Sequence, residues 1–391
     1  MIKLNEALEL TWMHPLRVER EMVPLEALPG RVLAEDLYAD RDLPPFTRST
    51  MDGYACRKED LPGPLEVVET VEAGSIPTHT LGKGQCSKIM TGAMVPEGAD
   101  CVIMKEYVET VDAGRIRFTE EESETHIDPQ GQDLKAGELL LKKGTLITPA
   151  HTGIIASIGK MQALVKRELK VGILATGSEL IPPDQTPQGA QVRNSNSHQL
   201  AAQVRRAGQH PILLGMVEDH REQMAGRIRE ALHQVDLLLL TGGASAGELD
   251  LVPGVLRELG YILEFERVAM QPGKPVSFAH RENKVCFGLS GNPVSSFVQF
   301  EMLVRPYLER CTEMIPVSKR IRIRMGKKYE RNRSGRPFFL PVTISDKGTC
   351  TPVEYHGSGH LHALAGVQGF AEIAAGKMMT RKGDLVYVRL L

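Results

Sequence analysis

Apolar runs alternate with amphipathic segments between residues 167 and 312. KVGILAT, HPILLGMV, VDLLLL and KVCFGL have the composition of buried strands, and NSNSHQLAAQVRRAG and HREQMAGRIREALHQ have the length and pattern of helices. Strands that alternate with helices predict βαβ units and a parallel sheet. Ligands of such sheets bind beyond the carboxyl ends of the strands. The glycine-rich polar turns of this segment follow its strands, so we expect the functional site at that edge.

Three further domains are predicted outside this segment. A helical pattern and then a strand-like one in residues 1–38, together with longer amphipathic elements in residues 136–166, predict one mixed N-terminal α/β domain. Residues 39–135 contain short Val, Ile and Thr runs separated by Gly, Pro and Asp, which predicts an inserted β-rich domain. Residues 313–391 contain short strands with period-two alternation, which predicts a small β-barrel. With the α/β domain at 167–312, the predicted fold class is α/β multidomain.

Composition narrows the class of protein. Of 391 residues, 42% are hydrophobic and 25% charged, as in an ordinary globular chain. The 47 basic and 49 acidic residues give a net charge of -2, so we expect neither nucleic acid nor a membrane surface as a partner. The N-terminus lacks a signal-peptide layout. Six scattered cysteines without a CxxC pair argue against disulfides and a cysteine zinc site, and a cytoplasmic location fits them.

The strongest local motif runs from Thr241 to Asp250. Its glycine-rich turn follows four leucines, and glycines there let backbone N–H groups face an anion. Asp250 places a carboxylate beside that turn, and Asp219 follows another strand. Two carboxylates at neighbouring strand ends beside such turns predict a Mg²⁺ site. The alternative is a tight strand-to-helix turn with a helix-starting Asp.

Further polar turns follow other strands of the same segment. Gly177 permits close backbone approach, and Ser178 and Glu179 can hydrogen-bond a ligand. The run of Asn and Ser at 194–197 begins a helix; one of these side chains suffices as a cap, which leaves another for a ligand. Lys274 in a rigid Gln-Pro-Gly-Lys turn suits oxyanions, although a surface lysine is the alternative.

Several motifs in order resemble one family. They are Ser49-Thr-Met-Asp-Gly-Tyr-Ala55, Thr91-Gly-Ala with Pro96-Glu-Gly-Ala-Asp100, Ala175-Thr-Gly-Ser-Glu-Leu180, Thr241-Gly-Gly-Ala-Ser, Pro272-Gly-Lys-Pro275 and Gly291-Asn-Pro-Val-Ser295. Together they cover nearly the whole chain and resemble the molybdopterin molybdenumtransferases, a family that includes the C-terminal half of gephyrin. The resemblance implies a four-domain homodimer with an active-site cleft shared between subunits. The substrates would be adenylylated molybdopterin, delivered by a pterin-adenylylating protein, and molybdate. The products would be molybdenum cofactor and AMP, with Mg²⁺ assisting.

The resemblance also implies roles for residues. The catalytic group would be Asp52, Thr91, Asp133, Glu179, Asp219 and Asp250, with Asp219 and Asp250 holding the metal. Substrate binding would involve Gly177, Ser178, Asn194, Ser195, Asn196, Gly242, Gly243, Ser245, Arg267, Gln271, Lys274, Ser290, Gly291, Asn292, Pro293 and Ser358.

The chain departs from the family pattern at three places. Gln271 and Ser290 replace a common Lys and Pro, and Pro341 stands where an Arg is frequent. These changes leave open a non-catalytic pterin-binding paralogue or one specialised for tungstate. A third hypothesis is a nucleotide hydrolase that uses only the α/β domain, although the matched N-terminal motifs speak against it.

Overall fold

A computed structural model describes residues 1–242, 251–316 and 320–391. The chain forms two compact units. The first comprises Met1–Ala34, Gly144–Pro149 and Gln162–Leu391, and the second comprises Glu35–Lys143 and Ala150–Met161. The predicted boundaries of four smaller domains stay a prediction, because the structure divides the chain into two units and not into four.

A six-stranded sheet forms the centre of the first unit. Its strands are β1 (Lys170–Thr176), β2 (His210–Val217), β3 (Leu237–Thr241), β4 (Ile262–Arg267), β5 (Pro275–Arg281) and β6 (Lys284–Leu289). The order is β2-β1-β3-β6-β5-β4, and the first four strands are parallel. The predicted α/β class is confirmed, but β4 and β5 are antiparallel to their neighbours. Only Glu282 and Asn283 separate β5 from β6, a link too short for a parallel crossover.

Both faces of this sheet are buried, which explains the continuous leucine run of β3. Leu237 and Leu239 face a core that contains residues of helices Leu4–Trp12, Asn196–Arg206, Pro293–Gln299 and Arg305–Cys311. Leu238 and Leu240 face the opposite core, which contains residues of helices Arg221–Gln234 and Leu251–Glu258. Strand side chains alternate between faces, so one apolar run serves two cores.

A closed five-stranded barrel ends the first unit, as predicted. Its strands are Arg320–Met325, Phe338–Ile344, Thr349–Pro352, Gly369–Ile373 and Leu385–Leu390. The alternating apolar positions point inward, with Val386 and Val388 in the barrel core. Two-stranded pairs complete this unit: Arg20–Pro24 with Gln162–Lys166, Leu180–Ile181 with Val192–Arg193, and Tyr329–Glu330 with Met379–Thr380.

The second unit is rich in short strands. Its six-stranded sheet runs in the order Cys101–Met104, Gly53–Cys56, Gln85–Ile89, Leu65–Val71, Arg115–Phe118 and Val108–Asp112. Smaller pairs join Arg48–Ser49 to Ile127–Asp128 and Leu37–Tyr38 to Leu139–Leu141. Helix Pro149–Ser157 belongs to this unit from its second residue onward. In the described parts of the chain, no helix combines the length and apolarity needed to cross a bilayer.

Candidate functional site

A cavity of about 300 Å³ opens at the carboxyl ends of the parallel strands. Parallel strands end at one edge of a sheet, so the turns after β1, β3 and β6 meet there. The predicted residues that line this cavity are Glu179, Asn194, Ser195, Asn196, Gly242, Gly291 and Pro293. Gly359 and Leu361, from a later part of the first unit, line it as well. The turns after β1, β3 and β6 therefore meet at one cavity, whereas Asp219 and Lys274 are not among its lining residues.

Gly242 brings the turns after β1 and β3 into contact. A Cβ atom at this position would lie 1.9 Å from the carbonyl oxygen of Thr176, and the φ angle is +106°. Both facts exclude a side chain. The glycine thus serves close packing of two turns at the cavity wall.

Glu179 and Asp219 bring two carboxylates to this edge. The Asp219 backbone N–H donates to Ser178 Oγ at 3.3 Å, and the Gly177 N–H donates to the Val217 carbonyl at 3.1 Å. Loss of solvent around the Asp219 carboxyl and the negative charge of Glu179 raise the pKa of Asp219. Two acidic groups that repel each other would be stabilised by a cation, so these residues fit a divalent metal.

The side chains of Asn194 and Asn196 make hydrogen bonds with different structural roles. The Asn194 side chain accepts a hydrogen bond from the Ser197 backbone N–H at 3.2 Å and donates to Ser197 Oγ at 3.0 Å, so it caps the helix. The Asn196 side chain donates to Thr241 Oγ1 at 2.9 Å and to the Gly291 carbonyl at 2.8 Å. It therefore links the turns after β3 and β6.

Gln299, which the sequence analysis did not single out, joins two predicted substrate loops. Its side-chain oxygen accepts from the Ser290 backbone N–H at 2.8 Å. Its side-chain nitrogen donates to the carbonyls of Gly273 at 3.0 Å and Pro275 at 2.6 Å. Gln299 is 0% exposed, in the apolar helix that follows β6. A lone glutamine among buried apolar positions was the available signal, since such a group needs hydrogen-bond partners.

The remaining predicted residues of the first unit lie around these loops. Gln271 N–H donates to the Pro337 carbonyl at 2.9 Å, and the Gln271 carbonyl accepts from Phe339 N–H at 2.8 Å. Lys274 is half-buried, and its carbonyl accepts from Val268 N–H at 3.0 Å. Arg267 is exposed at the end of β4. The Ser358 carbonyl accepts from Val294 N–H at 3.0 Å, which places Ser358 against the turn after β6. Asn292 N–H donates to Ser290 Oγ at 3.2 Å within that turn.

Three predicted residues, Gly243, Ser245 and Asp250, lie outside the described residues. Asp250 was predicted as the second metal ligand, so of the predicted metal pair the structure places Asp219 alone.

A separate polar group occupies the second unit. Asp52 accepts from the backbone and hydroxyl of Thr91, both at 2.9 Å, and from Lys105 Nζ at 3.0 Å. These bonds, the Thr91 backbone N–H first, lower the pKa of Asp52 to about 2. The family resemblance had placed Asp52 and Thr91 among the catalytic residues without a contact between them, and Lys105 had not been predicted. Asp133 is exposed elsewhere in this unit, and its N–H donates to the Leu43 carbonyl at 2.9 Å.

A larger cavity of about 940 Å³ lies in the first unit between the segment around Arg17 and the end of the helix that reaches Cys311. Its described lining contains none of the predicted site residues. Volume alone does not identify a site, whereas converging polar groups at strand ends do so. The smaller strand-end cavity is therefore the better candidate.

Glycine turns, side-chain amides and carboxylates meet at one edge of this α/β sheet. Such a site defines a class of enzyme that binds a polar, cofactor-sized ligand at the strand ends. The matches to known families specify this class. The MoeA N-terminal region (domains I and II) matches residues 2–159, a probable molybdopterin binding domain matches residues 172–310, and the MoeA C-terminal region (domain IV) matches residues 324–391.

Known proteins resemble the chain over its full length. A molybdopterin molybdenumtransferase of Bacillus subtilis is 33% identical over 100% of this chain and 94% of its own. A putative molybdopterin biosynthesis protein of Methanocaldococcus jannaschii is 33% identical over 95% of this chain and 92% of its own. A crystal structure of a molybdopterin biosynthesis MoeA protein from Pyrococcus horikoshii OT3 is 29% identical, covers 100% of both chains and has a TM-score of 0.85. The chain belongs to the molybdopterin molybdenumtransferase (MoeA) family and is an enzyme of molybdenum cofactor biosynthesis.

Proposed function

We propose that this enzyme inserts molybdenum from molybdate into adenylylated molybdopterin, with release of AMP, formation of molybdenum cofactor and dependence on Mg²⁺. The observation that carries the proposal is Glu179 in the wall of the strand-end cavity, with Asp219 held by a hydrogen bond of 3.3 Å from its N–H to Oγ of the adjacent Ser178. Family membership supplies the pterin and molybdenum, and the cavity and its charges support the finer chemistry.

The residues around the cavity suit an adenylylated pterin. Backbone N–H groups in the glycine turns can face phosphate oxygens, and Asn196 holds two of those turns in register. Asp219 and Asp250 would hold Mg²⁺, because carboxylate oxygens are its preferred protein ligands. When bound, Mg²⁺ would offset negative charge that develops on phosphate oxygens as AMP leaves.

The basic residues Lys274 and Arg267 would attract molybdate. Lysine is a compact cation suited to oxyanions, and preorganised cations lower the cost of bringing two anions together. Because Gln271 replaces a common lysine, this loop has one positive charge fewer than the family pattern. If the enzyme prefers tungstate or lacks turnover, we expect the missing positive charge of this loop to be the cause.

An assay of AMP release tests the proposal. Purified protein, adenylylated molybdopterin and molybdate are combined with and without Mg²⁺, and AMP is measured by chromatography. We expect Asp219→Asn and Asp250→Asn to reduce turnover by roughly a hundredfold or more, as expected when a metal ligand is lost. Glu218→Gln removes the neighbouring exposed carboxylate and should leave turnover unchanged.

The outcomes separate the alternatives. Absence of AMP with every divalent metal refutes the proposed reaction. Tight molybdopterin binding without AMP release would favour the non-catalytic paralogue, and faster turnover with tungstate than with molybdate would favour the tungstate-specialised one. Activity that survives deletion of residues 1–165 would favour the nucleotide hydrolase.

We further propose that the chain is a cytoplasmic homodimer that receives its substrate from a pterin-adenylylating protein. Family membership supports this assembly. Light scattering coupled to size-exclusion chromatography should give twice the chain mass of 43.1 kDa. A monomer mass at micromolar concentration would contradict the dimer without bearing on the reaction.

A further inference from the structure

Two histidines and a glutamate lie close together at β4 and β5, the antiparallel strands of the central sheet. None of the three has a role in the proposed reaction. His14 Nε2 lies 3.1 Å from Glu264 Oε1, and His280 Nε2 lies 3.0 Å from the same oxygen. Within the described residues, this is the one cluster of three or more His, Cys, Asp or Glu groups whose ligand atoms all lie within 4.8 Å of one another.

The sheet register creates half of this cluster. Ile262 and Leu263 on β4 pair with His280 and Ala279 on β5, and the next paired residue of β4 is Phe265, so Glu264 is the extra residue of a bulge. A bulge redirects the side chain of its extra residue, and here the Glu264 carboxylate reaches His280 Nε2 on the neighbouring strand. Phe278, two residues before His280, turns to the same face and is fully buried.

The segment after the first helix supplies the third group. The Tyr307 hydroxyl donates to the His14 carbonyl at 2.8 Å, which fixes the backbone at this residue. The His14 and His280 rings then stack, with centroids 3.6 Å apart and planes 16° from parallel. Stacked rings with both Nε2 atoms directed at one carboxylate oxygen are arranged before any ligand binds.

Accessibility and surroundings also suit a bound ion. The side chains of His14, Glu264 and His280 are 31%, 22% and 13% exposed, so an ion and its solvent can reach them. The ring of Phe278 lies beneath, 6.5 Å from the His14 ring and 6.3 Å from the His280 ring. The apolar Phe278 ring excludes water from one side of the three polar ligands, which strengthens their binding to a metal ion.

The donor set selects the class of ion. Two imidazole nitrogens and one carboxylate are borderline ligands that favour first-row divalent metals, whereas Mg²⁺ prefers oxygen ligands alone. Three protein ligands and one solvent position match the common tetrahedral coordination of Zn²⁺. We propose that His14, Glu264 and His280 form a binding site for Zn²⁺ or a similar first-row divalent ion, separate from the strand-end cavity.

A metal at this site would join distant parts of the chain. His14 follows the N-terminal helix, and the other two ligands belong to the edge strand β4 and to its neighbour β5. A bound ion would therefore fasten the N-terminal segment to the sheet and raise the melting temperature.

The test uses the full chain stripped of metal with a chelator and kept in millimolar Mg²⁺. Zn²⁺ is titrated in competition with a chromophoric chelator, and Co²⁺ serves as a probe through its visible ligand-field absorption. We expect one Zn²⁺ per chain, a rise in melting temperature on addition of Zn²⁺, and a Co²⁺ spectrum that Zn²⁺ abolishes.

Matched variants locate the ion. Glu264→Gln keeps the shape of the side chain, and both it and His14→Ala should weaken Zn²⁺ binding by about a hundredfold or more, because each removes a direct ligand. His356→Gln changes a different stacked pair, His356 and His360, whose ring centroids are 4.8 Å apart, and should leave the affinity unchanged. Circular dichroism of the metal-free variants checks their folding.

The proposal is overturned if the full chain binds no Zn²⁺ beyond the level of its Glu264→Gln variant, or if His356→Gln removes binding that Glu264→Gln leaves intact. AMP release with Mg²⁺ is measured on the same samples. Because that assay concerns a different site, its failure would not affect the Zn²⁺ result.

Discussion

Replacement of Gln299 by leucine should damage both stability and substrate binding. Leucine has similar bulk but makes no hydrogen bond, so the change removes the three bonds to Ser290, Gly273 and Pro275 with little change in packing volume. Gln299 is 0% exposed, so water cannot replace its side chain as a partner.

The magnitude follows from these contacts. A buried hydrogen bond contributes about 1 kcal/mol net, and a backbone group left without a partner costs about 1–3 kcal/mol. Three lost bonds at about 1 kcal/mol each therefore predict a loss of at least about 3 kcal/mol in the free energy of unfolding of the first unit. The same change frees the turn after β6 and the loop that carries Lys274, so affinity for molybdopterin should fall as well.

Gln209→Leu is a matched control. Gln209 is 6% exposed, accepts from Leu169 N–H at 2.8 Å and donates to the Ala207 carbonyl at 3.2 Å. These bonds lie at the amino end of β1, opposite the cavity edge. This variant should lose about 2 kcal/mol by the same reasoning but keep its affinity for molybdopterin.

Differential scanning calorimetry measures the stability of both variants, and titration calorimetry measures their molybdopterin affinity below the melting transition. Two results would refute the reasoning. One is a Gln299→Leu protein as stable as the parent. The other is equal loss of molybdopterin affinity in both variants, which would mean that Gln299 acts through general stability rather than through the two loops.

Three further predictions concern single residues at the strand-end cavity and in the polar group around Asp52. Gly242→Ala should lower the melting temperature and abolish AMP release, because its Cβ would lie 1.9 Å from the Thr176 carbonyl oxygen; calorimetry showing an unchanged melting temperature would contradict this. Lys105→Met should raise the pKa of Asp52 from about 2 part of the way toward its ordinary 3.8, since the Thr91 bonds remain; NMR titration of the carboxyl carbon reports it. A lowered carboxyl pKa stabilises the fold above pH ~4, and this contribution disappears as the pH falls through about 2. Asp219→Asn should leave the metal-free protein at least as stable as the parent near neutral pH, because the raised pKa of Asp219 means that its charged form is disfavoured there; a clear drop in melting temperature would count against this.

Local pattern was sufficient for much of the architecture. Buried runs alternating with helices predicted the parallel part of the central sheet, and period-two alternation predicted the C-terminal barrel. Both follow from side-chain periodicity, which depends on residues close in sequence. Placement of the candidate site at strand ends also followed, because the carboxyl ends of parallel strands must share one edge.

Only the tertiary structure decided which polar side chains hold that edge together. Asn194 and Asn196 look equivalent in sequence, yet one caps its own helix and the other reaches turns 45 and 95 residues away. Gln299 reads as an interruption of an apolar helix until its three distant backbone partners are seen. Local propensity carries no information on such contacts, because their geometry exists only after the chain has packed.

The same physical reason explains why the sequence pattern suggested one candidate metal site and not the other. Asp219 and Asp250 were predicted together because each follows a strand of the same sheet, a relation visible in the pattern. His14 lies some 250 residues from Glu264 and follows a different element, so no spacing rule joins them. Their meeting depends on the antiparallel register of β4 and β5 and on the packing of the N-terminal segment against one sheet face. Sequence determined which groups could be ligands, and the fold alone determined which of them meet.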